Sequence, residues 1–159
     1  MINLKIKGIA LDQKTRMPIA ILKTAGGERF IPIWIGPFEA SAIIIRMEKV
    51  FPPRPLTHDV LTNFLIEHGF KVERIEIYDL APDKSYFARL VYKKGFKRHR
   101  MEIRPSDGLA LAVRLDAPIV ASEKVVSEHP DCPCFYQGKD PACSEIMFLD
   151  TEKEPGYIM

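Results

Sequence analysis

Apolar and polar residues alternate along the first part of the chain, and this alternation predicts β-strands. Residues 2 to 11 and residues 17 to 25 follow the pattern, and Gly26-Gly27 ends the second stretch. We therefore expect a turn that leads into a third strand over residues 29 to 35.

Apolar residues spaced three and four positions apart predict three helices. Their expected ranges are about 37 to 49, 57 to 68 and 106 to 115. Gly36-Pro37 marks the start of the first helix, because proline fits the first helical position. Thr57 and Ser106 are the expected N-caps of the other two, since a hydroxyl oxygen accepts a hydrogen bond from a first-turn N–H.

The second predicted helix has an apolar face that we expect to pack on the sheet. This face consists of Val60, Leu61, Phe64 and Leu65. Gly69 follows as the residue that ends the helix.

The rest of the pattern predicts more strands. They are expected at Val72 to Ile77, Tyr86 to Tyr92, 96 to 103 and Pro118 to Ala121, with one helical turn near Val125. Strands grouped in this way predict the α+β class, with a mixed, largely antiparallel sheet and about three helices packed on it. The chain has no GxGxxG or Walker-type loop, which disfavours a nucleotide-cofactor fold.

The composition is that of a globular protein of 159 residues, 47% of them apolar. We expect one domain over residues 1 to 128 and a Pro- and Cys-containing appendage over 129 to 159. The apolar tetrad at 146 to 149 is expected to dock on the body or on a partner chain in a homo-oligomer. No apolar run approaches the roughly 18 residues of a membrane span, and the start of the chain lacks signal-peptide features. We therefore expect a cytoplasmic protein with no membrane partner.

Charge is unevenly distributed, although the net charge is only +2. Residues 1 to 128 carry 21 Lys and Arg against 15 Asp and Glu, whereas residues 129 to 159 carry 2 against 6. A basic body suits a polyanionic partner such as nucleic acid.

Two motifs repeat an Arg-Pro pair shortly before a hydroxyl residue and an acid at a predicted helix start. They are Arg54-Pro55-Leu56-Thr57-His58-Asp59 and Arg104-Pro105-Ser106-Asp107. A helix N-terminus offers unpaired N–H groups and a partial positive charge, and an upstream arginine adds a bidentate phosphate donor. Ordinary capping, in which the hydroxyl and the acid stabilise the helix without a ligand, produces the same pattern. Both interpretations remain open.

Four stretches of the chain together resemble the bifunctional nuclease domain family over about residues 2 to 128. They are Ile35-Gly36-Pro37-Phe38-Glu39-Ala40, the Arg54 motif, Tyr86-Phe87-Ala88-Arg89-Leu90 and the Arg104 motif extended to Ala112. The resemblance implies a compact α+β domain, and nuclease activity on DNA and RNA is claimed for some members. The chain departs from the family in Glu102, where Asp is frequent, and in Gly108, where a larger residue is usual.

Phosphodiester hydrolysis requires an activated water and relief of charge on the phosphoryl oxygens, which nucleases often obtain from carboxylate-bound Mg²⁺ or Mn²⁺. The candidate carboxylates are Glu39, Asp59, Glu102 and Asp107. The candidate phosphate contacts are Arg54, Thr57, Arg104 and Ser106. His58 is the candidate general base or acid, because imidazole exchanges protons near neutral pH.

Each of these candidates also has a structural interpretation. His58 and Asp59 are neighbours on a helix, so their side chains diverge by about 100° and one of them is expected to be structural. Glu39 can act through the helix dipole alone. Arg54 and Arg104 are the strongest functional pair, but a salt bridge to an aspartate would make the same residues architectural.

Residues 93 to 100 form a second basic segment, in which Lys and Arg flank Tyr92 and Phe96 around a predicted turn. Phosphate contact combined with base stacking is one interpretation, and an ordinary solvated hairpin is the other.

The appendage contains every cysteine of the chain. His129, Cys132, Cys134 and Cys143 provide four soft ligands, which is enough for a structural zinc site. The spacing matches no standard pair of CxxC knuckles, so three reduced thiols are the alternative.

Two classes of function follow from these observations. One is a nuclease that acts on DNA or RNA with a divalent metal. The other is a noncatalytic module that binds a phosphorylated ligand or a protein partner through the same helix N-termini.

Overall fold

The computed structural model describes residues 1–12, 15–27 and 29–128, together with the backbone of residues 146–149. Its strands are β1 (Ile2–Asp12), β2 (Pro18–Thr24), β3 (Phe30–Trp34), β4 (Lys71–Leu80), β5 (Tyr86–Lys94), β6 (Lys97–Ile103), β7 (Ile119–Ala121) and β8 (Ile146–Leu149). Its helices are α1 (Pro37–Met47), α2 (Thr57–Glu67), α3 (Pro105–Leu115) and α4 (Glu123–Ser127).

All the described strands belong to one sheet, in which seven strands follow the order β3-β2-β1-β7-β4-β5-β6. Among the described strands, β4 and β7 form the one parallel pair, and β4, β5 and β6 form the expected antiparallel meander. The short helix α4 lies at the helical turn expected near Val125. The predicted α+β class and mixed, largely antiparallel sheet are confirmed.

The long strand β1 joins the two halves of the sheet. One of its edges pairs with β2 over Leu4–Leu11. The other edge is shared, because β7 pairs with Ile2–Leu4 and β8 pairs with Ile9–Asp12. The backbone of the apolar tetrad therefore docks on the body of its own chain, and the homo-oligomer stays a prediction.

The main core lies between the sheet and the helices α1 and α3. Its fully buried side chains include Ile43, Ile75, Leu90, Leu109 and Leu111. Apolar residues at alternate positions of β4 and β5 supply the sheet side of this core, as the strand pattern predicts.

The helix α2 does not pack in the way its apolar pattern predicts. Val60 and Phe64 are each 54% exposed, and in this helix Thr62 and Leu65 are the buried residues. The helix packs mainly against α3 rather than on the sheet. The predicted sheet-facing surface is therefore wrong, because a helix that lies on another helix buries a narrower stripe.

Gly108 allows α3 to lie unusually close to the sheet. A Cβ atom added at this position would lie 2.7 Å from Cγ2 of Ile75 and 3.0 Å from Cδ1 of Ile103. Both distances are too short for carbon atoms in contact, which lie about 3.5–4.0 Å apart. The glycine is therefore required by packing, and it fixes how deeply α3 sits on β4.

We expect Gly108→Ala to lower the free energy of unfolding. Overpacking costs about 1–3 kcal/mol, which exceeds the gain of about 1 kcal/mol that alanine has over glycine in a helix. Urea denaturation provides the measurement, and Gly26→Ala is the control because a Cβ there has no neighbour within 4 Å. Stabilisation by Gly108→Ala would contradict the close approach.

Candidate functional site

The helices α1, α2 and α3 each carry an acidic residue at their third position. These residues are Glu39, Asp59 and Asp107, and the corresponding N-caps are Gly36, Leu56 and Arg104. A carboxylate in the first turn complements the partial positive charge of the helix start. The three acids therefore have a local electrostatic reason for their positions, whatever else they do.

Thr57 and Ser106 are not the N-caps that the sequence predicts. Pro105 takes the first position of α3, and the residue before a proline is held extended, so Arg104 becomes the N-cap. Thr57 is the first residue of α2, and Leu56 precedes it as the cap. The Asp59 carboxylate accepts the Leu56 N–H at 2.9 Å, and the leucine itself offers no side-chain acceptor to the first turn.

Four of the predicted site residues form one connected group, which we call the helix-start cluster: Glu39, His58, Arg104 and Asp107. Arg104 Nη2 lies 2.8 Å from Glu39 Oε1, and Arg104 Nε donates to Asp107 Oδ2 at 2.8 Å. His58 Nε2 lies 3.0 Å from Asp107 Oδ1. The starts of three helices therefore meet at this cluster.

The charge state of Asp107 determines the proton positions in the cluster. Burial raises the pKa of this carboxyl, but hydrogen bonds from Arg104 and His58 outweigh burial, and the net pKa is lowered. An ionised carboxylate can only accept hydrogen bonds, so His58 Nε2 carries the proton and Nδ1 remains the basic nitrogen.

Arg104 is the member of the cluster that solvent reaches most easily. Its side chain is 66% exposed, whereas that of Glu39 is 16% exposed and that of His58 is 15% exposed. The hydrogen bond to Asp107 raises the pKa of Arg104, so the guanidinium keeps its charge. Its Nη1 has no hydrogen-bond partner within the described part of the chain and can donate to a ligand.

Asp59 belongs to a different ion pair. Arg114 of α3 donates through Nε to Asp59 Oδ1 at 2.7 Å, and its Nη1 donates to the carbonyl oxygens of Ala42 and Ala110. The Arg114 side chain is 3% exposed. Asp59 is thus held by a buried arginine that sequence reasoning missed, and its neighbour His58 alone joins the helix-start cluster.

Arg54 and Thr57 are both exposed on the surface. Ser106 is buried at the second position of α3. Glu102 accepts a hydrogen bond from the Tyr78 hydroxyl at 2.7 Å and pairs in register with Arg89 on β5. Its side chain is on the sheet face opposite the helices, so Glu102 does not join Glu39 and Asp107 in the expected ligand set.

That opposite face holds a second group of charges that the sequence did not reveal. Glu76 is 2% exposed and pairs with both Arg74 and Arg89. Burial raises the pKa of Glu76, and hydrogen bonds from the two arginines outweigh burial, so its net pKa is lowered. The sequence signal for this group is the polar residues that alternate with apolar ones along β4 and β5, because alternate residues of a strand lie on opposite faces of the sheet.

The basic segment at residues 93 to 100 forms the β5–β6 hairpin. Lys93 and Arg98 both pair with Glu73, which offsets part of their positive charge. Tyr92 stacks on His99 with ring centroids 5.2 Å apart, while Phe96 at the turn is fully exposed. These contacts favour the solvated hairpin over a preformed phosphate site.

A pocket of about 390 Å³ opens directly beside the helix-start cluster, and Arg104 and Gly36 form part of its wall. We call it the Trp34 pocket, because Trp34 and Tyr86 supply its aromatic lining. A second pocket of about 290 Å³ lies at the Asp59–Arg114 pair, where Phe51 and Arg46 contribute to the lining.

The described residues contain no preformed metal site with three or more protein ligands. Among them, no group of three or more His, Cys, Asp or Glu side chains is arranged to hold a metal ion. The predicted zinc ligands His129, Cys132, Cys134 and Cys143 lie outside the described residues.

No helix among the described residues is long and apolar enough to cross a membrane.

Comparison with known proteins gives matches over most of the chain. A family model described as Bifunctional nuclease domain matches residues 20–131. Two uncharacterized proteins from two strains of Mycobacterium tuberculosis are each 35% identical to this chain over 126 residues. Each alignment covers 79% of this chain and 74% of the relative.

We expect Asp59→Asn to destabilise the fold, because it leaves buried Arg114 without an opposite charge. The free energy of unfolding should fall by roughly 2–4 kcal/mol in urea denaturation. Asp79→Asn is the matched control, since Asp79 pairs with Lys124 at the surface, where water screens the charges and the loss of stability should be much smaller. Equal losses in the two variants would contradict a structural role for the buried pair.

The same pair should give a characteristic pH dependence. Burial raises the pKa of Asp59, but the Leu56 N–H and Arg114 outweigh it and lower the net pKa. The contribution to stability is therefore complete above the ordinary value of 3.8 and is lost as pH falls through the lower folded-state value. The stability difference between wild type and Asp59→Asn should shrink below that ordinary value. A constant difference would contradict the assignment.

Proposed function

The chain belongs to the bifunctional nuclease domain family, and from this premise we propose that it hydrolyses phosphodiester bonds of DNA or RNA at the helix-start cluster. The observation that carries the proposal is the connected chain of hydrogen bonds from Glu39 through Arg104 and Asp107 to His58. It combines a phosphate-binding cation, a base and carboxylates at one site.

Arg104 is the proposed phosphate ligand. Its exposed guanidinium is planar and can present two N–H groups to two phosphate oxygens. The positive charge also stabilises the additional negative charge that develops on the phosphoryl oxygens during hydrolysis. Arg54 and Thr57, which are exposed near the start of α2, are proposed as further phosphate contacts along the strand.

His58 is the proposed general base, and Asp107 is the residue that orients it. The Nε2–H bond to Asp107 fixes the ring and leaves Nδ1 to accept a proton. Attack of a water oxygen on phosphorus transfers a water proton to Nδ1. The bond from phosphorus to the leaving oxygen then breaks, and that oxygen takes a proton from solvent.

Glu39 and Asp107 would hold a divalent ion in this proposal. Both carboxylates bond to the same guanidinium, so a divalent ion would compete with Arg104 for their oxygens. Mg²⁺ typically takes one or two protein carboxylates and completes its ligands with water and phosphate oxygens, which fits this pair. When bound, Mg²⁺ or Mn²⁺ supplies charge neutralisation at the phosphate.

A noncatalytic module that binds a phosphorylated ligand is the second candidate function. It is favoured by the fact that Asp59 and both carboxylates of the cluster are already paired with arginines, as in an architectural network. The cluster would then hold a phosphate through Arg104 without turnover.

Single-turnover cleavage of labelled RNA and DNA tests the proposal, with Mg²⁺, Mn²⁺ or EDTA present. Arg104→Ala should lower the rate constant about 10²–10³-fold, and His58→Ala should lower it about 10²–10⁴-fold. Arg104→Lys keeps the charge but loses bidentate geometry, so it should recover only part of the rate.

Lys124→Gln is the control for these variants, because Lys124 is an exposed residue whose partner is Asp79. It should retain the wild-type rate, whereas a contaminating nuclease would survive all the substitutions equally. Phosphate binding without cleavage would favour the noncatalytic module instead.

Gly36 provides a test of Glu39 that preserves the carboxylate. Its φ of −73° is open to any residue, but an added Cβ would collide with Glu39 Oε2. We expect Gly36→Ala to displace this carboxylate from Arg104 and to lower the cleavage rate, while the free energy of unfolding changes by less than about 1 kcal/mol. Gly26→Ala is again the control, and an unchanged rate in Gly36→Ala would remove Glu39 from the site.

A further inference from the structure

We propose that the Trp34 pocket binds an unpaired nucleobase of the strand whose phosphate lies on Arg104, which makes single strands the preferred substrate. This inference rests on the proposed function, because it assigns the substrate class of the same site. It is carried by an exposed aromatic ring, two cations and a pocket wall that includes Arg104 itself.

Trp34 presents an aromatic surface that folding leaves uncovered. It is the last residue of β3, and 51% of its surface is exposed, although tryptophan is strongly buried in most proteins. Its indole Nε1 lies 3.5 Å from Asp12 Oδ2, a contact at the long limit for a hydrogen bond. An aromatic face in this position can stack on any base, because every base has a π-face.

Tyr86 adds a second aromatic group at the start of β5. Burial raises the pKa of this phenol, so the hydroxyl remains neutral. The pocket wall therefore contains two aromatic side chains, and that of Trp34 is widely exposed. Such a combination is typical of sites that bind one unpaired base.

The charges around the pocket suit a phosphate attached to that base. Arg104 and Lys84 both contribute to the wall, and Asp83 is the acidic group beside them. Asp83 keeps its negative charge, because hydrogen bonds from Ser85 lower its pKa. The two cations of the wall therefore outnumber its one carboxylate, and Arg104 is also paired with the two carboxylates of the helix-start cluster.

Lys84 is held beside the pocket by a strained turn. Its φ of 69° lies in the left-handed region, which costs a non-glycine residue energy. The turn is closed by hydrogen bonds from Lys84 N to the Ala81 carbonyl and from Ala81 N to the Ser85 carbonyl. The turn therefore places Lys84 in the wall of the pocket.

The volume of the pocket is about 390 Å³. Small-molecule sites span roughly 300–1,000 Å³, so this pocket is near the lower limit. A base in a duplex would have to leave its stack to enter, and this costs binding energy that a single strand does not lose. Single-stranded substrates should therefore bind more tightly and be cleaved faster than duplexes of the same sequence.

The sequence allows a direct optical test, because Trp34 is the only tryptophan of the chain. The probe is a phosphorothioate oligothymidylate, whose linkages resist hydrolysis, and it is compared with an abasic strand of equal length. Oligothymidylate should quench the fluorescence of the intact protein through stacking, whereas the abasic strand should bind without comparable quenching. Equal quenching by both strands would overturn the proposal.

Substitutions at Trp34 and at Phe96 distinguish base binding in the Trp34 pocket from base binding at the β5–β6 hairpin. Labelled oligothymidylate should bind Trp34→Ala roughly 5- to 100-fold more weakly by anisotropy, while Trp34→Phe should recover much of the affinity. Binding of the abasic strand should not change. Phe96→Ala is the matched control, since Phe96 is another exposed aromatic residue but lies at the hairpin turn. Loss of affinity in Phe96→Ala but not in Trp34→Ala would overturn the assignment.

The two proposals fail in different ways. Base-dependent quenching in a protein that does not cleave would support the pocket and reject the nuclease. Cleavage that depends on Arg104 without base-dependent quenching, or with equal rates on single and double strands, would reject the pocket and leave the nuclease intact.

Discussion

Arg114 is the point at which α1, α2 and α3 are held together. Its buried guanidinium donates to the Ala42 carbonyl in α1, to the Asp59 carboxylate in α2 and to the Ala110 carbonyl in α3. The helix α2 buries little apolar surface of its own, so this charged anchor carries much of its positioning. The position of His58 beside Asp107 depends on that anchor, because His58 precedes Asp59 on the same turn.

In the proposed function, helix capping and chemistry use the same atoms of the helix-start cluster. An acid at the third position stabilises a helix start, and here two such acids also bind Arg104 while one binds His58. The architectural and functional interpretations of the Arg104 motif are therefore not exclusive. A network that is already hydrogen-bonded holds Arg104 and His58 in place before any ligand arrives, which lowers the cost of ordering them on binding.

Much of the fold was predictable because the responsible signals are local. The strand alternation, the Gly69 helix end and the turn within residues 93 to 100 each depend on neighbouring residues, and the structure contains all three elements. The prediction of Ser106 as an N-cap is wrong because Pro105 takes the first helical position and makes Arg104 the N-cap. The partner of Asp59 lies 55 residues away, and that of His58 lies 49 residues away, so no local pattern could reveal either pair. The prediction that α2 packs on the sheet is wrong for the same reason, since periodicity identifies an apolar face but not the element that covers it.

The two end strands of the seven-strand order also limit how copies of this chain can associate. At one end, Pro32 sits in the middle of β3 and has no N–H to offer a further strand. At the other end, β6 presents Lys97, Arg98 and Arg100, so a second copy paired there would bring like charges together. Both features oppose continuation of the sheet from one molecule into the next and protect against aggregation through exposed strands. Pairing of two copies through either of these edges is therefore disfavoured.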